Sequence, residues 1–275
     1  MKILFTTIPQ LARVLSRGTK MDFVLMWLRL TYFAFSRKLN LRGKDMEFSF
    51  FFAGKQFKLF LSHVTDLAVL HEVFFLKEYE WKLQNTPTTI LDLGAHWGDS
   101  SIYYHFMYPD AIIYAVEPAP DTYAQLVKNV ANISNIVPIQ AGVSNFTGTA
   151  DLNISSSSFG NSFQSRPGMQ KMVIVPVYTM QDLFSKLGIK KADIIKFDIE
   201  GGEESLFFDQ NPEEFADAYI GEVHRDLISI NVDDFVSKFI NFDIQQEQLK
   251  NPNRFILRAI KKYDRKLLNN PQPRM

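Results

Sequence analysis

From residue 88 onward, short apolar runs rich in β-branched side chains recur at 89–93, 111–116, 136–140, 194–197 and 219–223. Between them the apolar positions change to helical spacing, as in 101–107, 123–130 and 180–187. A strand covered on both faces needs an apolar run without alternation, and helices between such strands supply the covering layers. The pattern predicts an α/β domain with a doubly wound, mostly parallel sheet. Residues 147–178 depart from it, because segments such as MVIVPVY alternate; they predict an insertion of antiparallel strands. A last apolar run, 254–261, is expected to close the sheet as an antiparallel edge strand.

The first 87 residues read differently. Phe-rich runs, MEFSFFFA and QFKLFLS, are joined around Gly54 and Lys55 and predict a hairpin over 46–62. Before it, residues 23–35 are apolar except for Arg29 and Thr31, with Arg17, Lys20, Arg37, Lys38, Arg42 and Lys44 on the flanks. This stretch is too short to cross a bilayer, which takes about 20 residues. A secretory signal is a poor match, since Arg13, Arg17 and Lys20 interrupt the place of its apolar region and no small-residue cleavage site follows. The expected location is therefore the cytoplasm. Two readings of the segment stand level: a basic amphipathic helix lying on an anionic membrane, or a helix packed on the core or on a second copy in a homodimer. The expected division is an N-terminal extension of helix and hairpin at 1–87, the α/β domain at 88–262, and a frayed basic tail at 263–275.

Charge sharpens this picture. The chain of 275 residues has 30 basic and 30 acidic side chains, unevenly placed. Residues 1–44 hold nine Lys/Arg and one acid, residues 45–249 hold 13 and 28, and residues 250–275 hold eight and one. An acidic middle argues against a nucleic-acid surface there, so no nucleic-acid partner is expected. The basic ends suit an anionic membrane or substrate. The absence of Cys excludes thiolate nucleophiles, Cys-ligated zinc and disulfides. At 46% apolar residues the chain can bury a sizeable core without a metal.

Four segments carry chemistry. ILDLGAHWGDSS runs from a strand through a Gly-bearing turn into a helix, a ligand cradle in which Gly94 and Gly98 let backbone approach closely. Dinucleotide and Walker loops fit poorly, because His96 and Asp99 stand where the first wants glycines and Asp99 where the second wants Lys. Asp92 and Asp99 would repel a pyrophosphate and attract a ligand bearing an ammonium and a sulfonium. One strand later, Glu117 ends an apolar run and can accept both hydroxyl protons of a ribose. In DIIKFDIEGGEES, the residues Lys196, Asp198 and Glu200 recur at period two, which on a strand puts them on one face. In IGEVH, Glu222 and His224 also share a face, so Asp198, Glu200, Glu222 and His224 are expected to meet at adjacent strand ends. His63, His71 and His105 are read as structural.

These residues resemble the FkbM family of S-adenosylmethionine-dependent methyltransferases. The stretches that carry the resemblance are ILDLGAHWGDSS, YAVEPAPDTYAQLVKNV, QAGVSNFTG and VYTMQDLFSKLGIKKADIIKFDIEGGEESLF followed by GEVH, over about residues 88–225. The resemblance implies a class I Rossmann-like methyltransferase fold and methyl transfer, usually to a hydroxyl oxygen. It implies that Asp92, Gly94, Ala95, Gly98, Glu117, Gln140 and Asp198 hold the cofactor, S-adenosyl-L-methionine, with Asp198 and Glu200 at the reaction centre. The family usually has Asn where this chain has His96, so the side chain there is expected to alter geometry or acceptor choice.

Methyl transfer from a sulfonium is an in-line displacement in which the protein mainly positions two partners. An alcohol acceptor also needs a base, for which His224, His96 and Asp198 are the candidates. His224 leads, because Glu222 beside it could tune an imidazole toward neutral pH. A metal on Asp198, Glu200 and Glu222 could instead acidify the hydroxyl, but without a paired-His motif no metal is assigned. The acceptor class expected is a small-molecule, saccharide or lipid-linked hydroxyl. A nucleotide-dependent oxidoreductase and a non-catalytic Rossmann-fold scaffold are the alternatives.

Overall fold

The computed structural model describes residues 3–39, 45–81, 83, 85–155, 160–164, 169–206 and 210–262. The expected basic tail lies outside the described residues, as do Arg42 and Lys44.

Helix α1 (Ile8–Leu15) buries Ile8, Leu11, Ala12 and Leu15, the set that one face of an α-helix collects. Helix α2 (Lys20–Lys38) starts at Thr19, whose hydroxyl accepts from the Asp22 backbone N–H at 3.0 Å and so satisfies a donor that a helix start leaves over. Strands β1 (Met46–Phe52) and β2 (Lys55–Leu61) pair antiparallel as the alternation requires. Their turn places Ala53 and Gly54 at φ 48° and 78°, which matches the twist of a hairpin. Phe48 meets Phe33 of α2 edge-on at 5.5 Å. Helix α3 (Asp66–Leu70) and a π-helical turn, His71–Leu76, then lead into the sheet.

The buried side chains of this extension form one continuous cluster with Ile90, Ile113, Ile194 and Ile220 of the sheet. Of the two readings of residues 23–35, packing on the core is what α2 does through Met26, Leu30, Phe33 and Ala34. Its other flank leaves Met21, Leu25, Leu28, Tyr32, Phe35 and Leu39 exposed. No helix among the described residues is long and apolar enough to cross a membrane.

The remaining strands are β3 (Thr89–Leu93), β4 (Ile112–Val116), β5 (Ile136–Ile139), β6 (Gly142–Val143), β7 (Gly148–Ser155), β8 (Met169–Tyr178), β9 (Ala192–Phe197), β10 (Ala216–His224), β11 (Phe242–Gln248) and β12 (Arg254–Lys261). Helices α4 (Asp99–Met107), α5 (Pro120–Val130), α6 (Met180–Leu187), α7 (Glu203–Leu206) and α8 (Val232–Ser237) lie between them. Seven strands form the main sheet in the order β11-β12-β10-β9-β3-β4-β5. Neighbours from β10 through β5 pair parallel. One face carries Ile90, Ile113 and Ile194, and the other carries Leu91, Ile195 and Tyr219, so alternate residues enter different cores and both must be apolar. This is the doubly wound, Rossmann-like architecture that the apolar runs predicted.

One expectation is corrected. Strand β12 is antiparallel to β10 but is not the edge; β11 pairs outside it. Residues 242–248 read FDIQQEQ, and most of this strand is exposed, so it carries little apolar signal. The insertion does fold as antiparallel strands, β7 on β8, with β6 added parallel to β8. In the main sheet β4 follows to one side of β3 and β9 lies on the other. The loops leaving β3 and β9 therefore diverge and open a crevice at the carboxyl ends of the strands.

Candidate active site

The crevice holds a cavity of about 480 Å³, the size of a small-ligand pocket. Seven carboxylates line it, Glu117, Asp198, Glu200 and Glu222 among them, against three cationic side chains. Burial pushes Glu72 up to about 8 and Glu78 and Glu222 up to about 7, so part of this acidity is held as neutral acid; the remaining carboxylates favour a cationic ligand over a phosphate-bearing one.

At the β3 end, Gly94 has φ 74°, and a Cβ there would lie 1.9 Å from the Asp198 backbone oxygen. Only glycine lets these two strand ends approach so closely. Glu117 ends β4, is 6% exposed, and accepts from the His96 N–H at one oxygen and the Ala119 N–H at the other, both at 3.0 Å. These two bonds hold the carboxylate plane still, and each oxygen keeps acceptor capacity for a diol. Burial pushes the Glu117 carboxyl above its ordinary range, while His96 and the two N–H donors work against that. His96 lines the cavity at φ 51°, a left-handed backbone that Asn and His tolerate better than most residues. Its Nδ1 lies 3.2 Å from Asp99 Oδ2; burial lowers the ring pKa, and Asp99 more than offsets this.

Four residues expected to hold a cofactor do not line the cavity: Asp92, Ala95, Gly98 and Gln140. Asp92 is fully buried; one oxygen accepts from the Ser100 and Ser101 hydroxyls at 2.6 Å and the other lies 3.1 Å from Lys196 Nζ. Its Oδ2 is occupied inside the protein, and its Oδ1 is sealed against Lys196 without a hydrogen bond. Ala95 is sealed and donates its N–H to Val116, Gly98 caps α4 with a Cβ position 3.0 Å from Leu126, and Gln140 is exposed elsewhere.

The other expected residues converge. Strand β9 ends at Phe197, so the period-two reading applies to Lys196 alone; Asp198 and Glu200 lie on the turn that follows, where Glu200 takes φ 50°. The turn nevertheless brings both to the cavity. His224 at the end of β10 is fully buried, with Nε2 at 3.6 Å from Glu200, 3.7 Å from Glu222 and 4.0 Å from Asp198. Its Nδ1 lies 2.7 Å from Glu203 at the start of α7. Burial alone would lower the ring, but Glu203 first, then Asp198 and Glu200, push it up to about 9. The surrounding acids thus push His224 upward rather than toward neutral pH, and the cavity is lined by Asp198, Glu200 and Glu222 but not by His224 itself. Glu222 lines the cavity, is held by Arg254 at 3.1 Å, and is pushed up to about 7 by burial and Asp198.

Sequence reasoning passed over Glu203, Arg254 and Tyr79. Tyr79 comes from the extension and donates to Asp198 Oδ2 at 3.0 Å. Glu203 sits in the quoted EGGEES segment, but its role depends on a histidine 21 positions on, a pairing that needs the fold.

A model of the methyltransferase FkbM domain matches residues 92–262. Methyltransferase sdnD of Sordaria araneosa is 26% identical over 178 residues, covering 52% of this chain and 68% of that protein. Methyltransferase 1 of Beauveria bassiana is 26% identical over 154 residues, 48% of this chain and 62% of that protein. Among solved structures, Aeropyrum pernix fibrillarin in complex with natively bound S-adenosyl-L-methionine is similar with a TM-score of 0.46 and 14% identity, over 80% of this chain and 84% of that one. An O-methyltransferase from Bacillus cereus in complex with SAH gives 0.42 and 11%, over 85% and 90%.

Proposed function

The chain belongs to the FkbM methyltransferase family, and on that premise we propose that it moves a methyl group from S-adenosylmethionine to a hydroxyl oxygen of a saccharide, glycolipid or secondary metabolite. The observation that carries the reading is one acid-lined cavity with Glu117 at one strand end and Asp198, Glu200 and Glu222 at the neighbouring ones. S-adenosylmethionine supplies an electrophilic methyl group on a sulfonium. Glu117, fixed by two backbone donors, is placed to accept from the ribose diol, and the surrounding carboxylates favour the donor's positive charge. Gly94 lets the chain after β3 lie close against the backbone of Asp198, which draws the two strand ends together at the cavity. Glu222, clamped by Arg254 on the cavity wall, takes the acceptor proton in place of His224. Holding the two partners in line can itself supply roughly 7 to 11 kcal/mol of the barrier.

The experiment that tests the reading is transfer of a labelled methyl group to a panel of glycans, lipid extracts and polyols, with the product linkage assigned as an ether. Label appearing on nitrogen or carbon instead overturns the hydroxyl assignment. Calorimetry tests the donor site. Wild-type protein should bind S-adenosylmethionine, and Glu117→Gln should weaken that binding by roughly 10- to 100-fold, the value of a hydrogen bond to a charged acceptor. Tight binding of NAD(P) in its place would shift the assignment to an oxidoreductase.

The exposed flank of α2 bears on where the acceptor is met. Met21, Leu25, Leu28, Tyr32, Phe35 and Leu39 lie on a helix that also carries Lys20, Arg29, Arg37 and Lys38. An exposed apolar flank on a helix with basic residues at both ends complements an anionic lipid surface, and that is the partner assigned to this flank. In vesicle flotation at low salt, the protein should rise with anionic vesicles, and Leu25→Glu/Leu28→Glu should stay behind. A wild-type protein that stays in solution sinks the membrane assignment.

A further inference from the structure

We infer that Asp198, Glu200 and His224 form a binding site for a divalent transition-metal cation on the wall of the cavity. The inference deepens the methyl-transfer reading, since it names what activates the acceptor. Asp198, Glu200 and His224 each offer one ligand atom, and these atoms all lie within 4.8 Å of one another. Small side-chain rotations would bring them onto a common ion.

Two further observations point to a ligand. His224 has no exposed surface, yet its Nε2 has no hydrogen-bond partner and faces the carboxylates. Asp198 Oδ1, from the other side, is also buried without a hydrogen-bond partner. Buried polar atoms are nearly always satisfied, and one cation between these two would satisfy both. The second shell has the matching form. Glu203 is fully buried and only accepts when ionised, so its contact with Nδ1 at 2.7 Å fixes a ring hydrogen there, and Nε2 becomes the ligand atom when the ion displaces its proton. Carboxylate, histidine and metal in that sequence is how proteins commonly orient an imidazole ligand.

Charge agrees. Four carboxylates, Asp198, Glu200, Glu203 and Glu222, surround His224, while Arg254 contacts only Glu200 and Glu222. A divalent ion would add positive charge to this acidic cluster, and one imidazole with two carboxylates suits Mn²⁺, Fe²⁺ or Zn²⁺. The ion takes the place of the Nε2 proton. Three protein ligands leave coordination positions open toward the cavity, where an acceptor hydroxyl would bind and become more acidic. Its proton passes to Glu222, its oxygen forms the bond to the methyl carbon, and the carbon–sulfur bond breaks to leave a neutral thioether.

The test uses full-length protein stripped with EDTA, without donor or acceptor. Mn²⁺ is titrated by electron paramagnetic resonance and Zn²⁺ by calorimetry. One ion per chain should bind. Glu200→Gln, which keeps the shape of a side chain that is 14% exposed and should fold, should weaken binding at least about tenfold, and Glu203→Gln by about 10- to 100-fold. Glu247→Gln, on the exposed edge strand, should bind as the parent does. No saturable binding of either ion up to millimolar concentration, or binding that Glu200→Gln leaves unchanged, overturns the site. S-adenosylmethionine affinity of the same stripped protein separates the two readings: donor binding without an ion site ends this inference alone, and an ion site without donor binding counts against methyl transfer alone.

Discussion

Asp92→Asn is expected to lose about 3 to 5 kcal/mol of stability, the cost of stranding a buried charge by removing its partner. Lys196 is 1% exposed, and its Nζ contacts Asp92 at 3.1 Å and donates to the Gly94 carbonyl at 2.8 Å. Burial alone would lower the Lys196 pKa, but Asp92 first, then Asp198 and Asp99, hold it above its ordinary value. The substituted protein keeps a charged lysine facing a neutral amide, and Ser100 and Ser101 lose the charged acceptor that ties α4 to β3. Urea unfolding followed by circular dichroism measures the loss. Asp92→Asn/Lys196→Met should recover much of it, because removing both charges leaves neither unpaired. A single variant within about 0.5 kcal/mol of the parent, the range of an ordinary surface change, would show that the pair does not anchor the turn.

The second large effect belongs to Glu222. Glu222→Gln should lower kcat by about 10² to 10⁴, the contribution of a positioned base, and change donor affinity far less than it changes kcat. Gln keeps the shape and an oxygen for Arg254, so the variant removes proton acceptance more than it removes structure. A phenolic acceptor, already acidic, should lose far less than an aliphatic alcohol. A kcat within about threefold of the parent on both acceptors assigns the proton elsewhere, with Asp198 the next carboxylate on the cavity wall.

The structure divides the two acidic motifs of the sequence by what each carboxylate can still accept. Asp92 and Glu117 both end apolar runs near the Gly94 turn, and from the chain alone they look equivalent. Asp92 points back under α4, fully buried, with one oxygen on Ser100 and Ser101 and the other beside Lys196; Glu117 holds two backbone donors and opens on the cavity. His224 shows the same limit. Its place at a strand end was legible, but Glu203 and the acids around Nε2, which push its pKa upward, reach it only through folding.

The sequence alone determined the doubly wound sheet, since strands covered on both faces must be apolar at every position, and that pattern survives in one dimension. It also determined that the cavity would be acidic, because the carboxylates cluster at the ends of consecutive strands. The tertiary structure alone decided which acids line the cavity, which anchor the turn, and that Tyr79 and Arg254, far apart in the chain, both reach its acids. Burial and pairing depend on distances between residues far apart in sequence, and no local pattern encodes them.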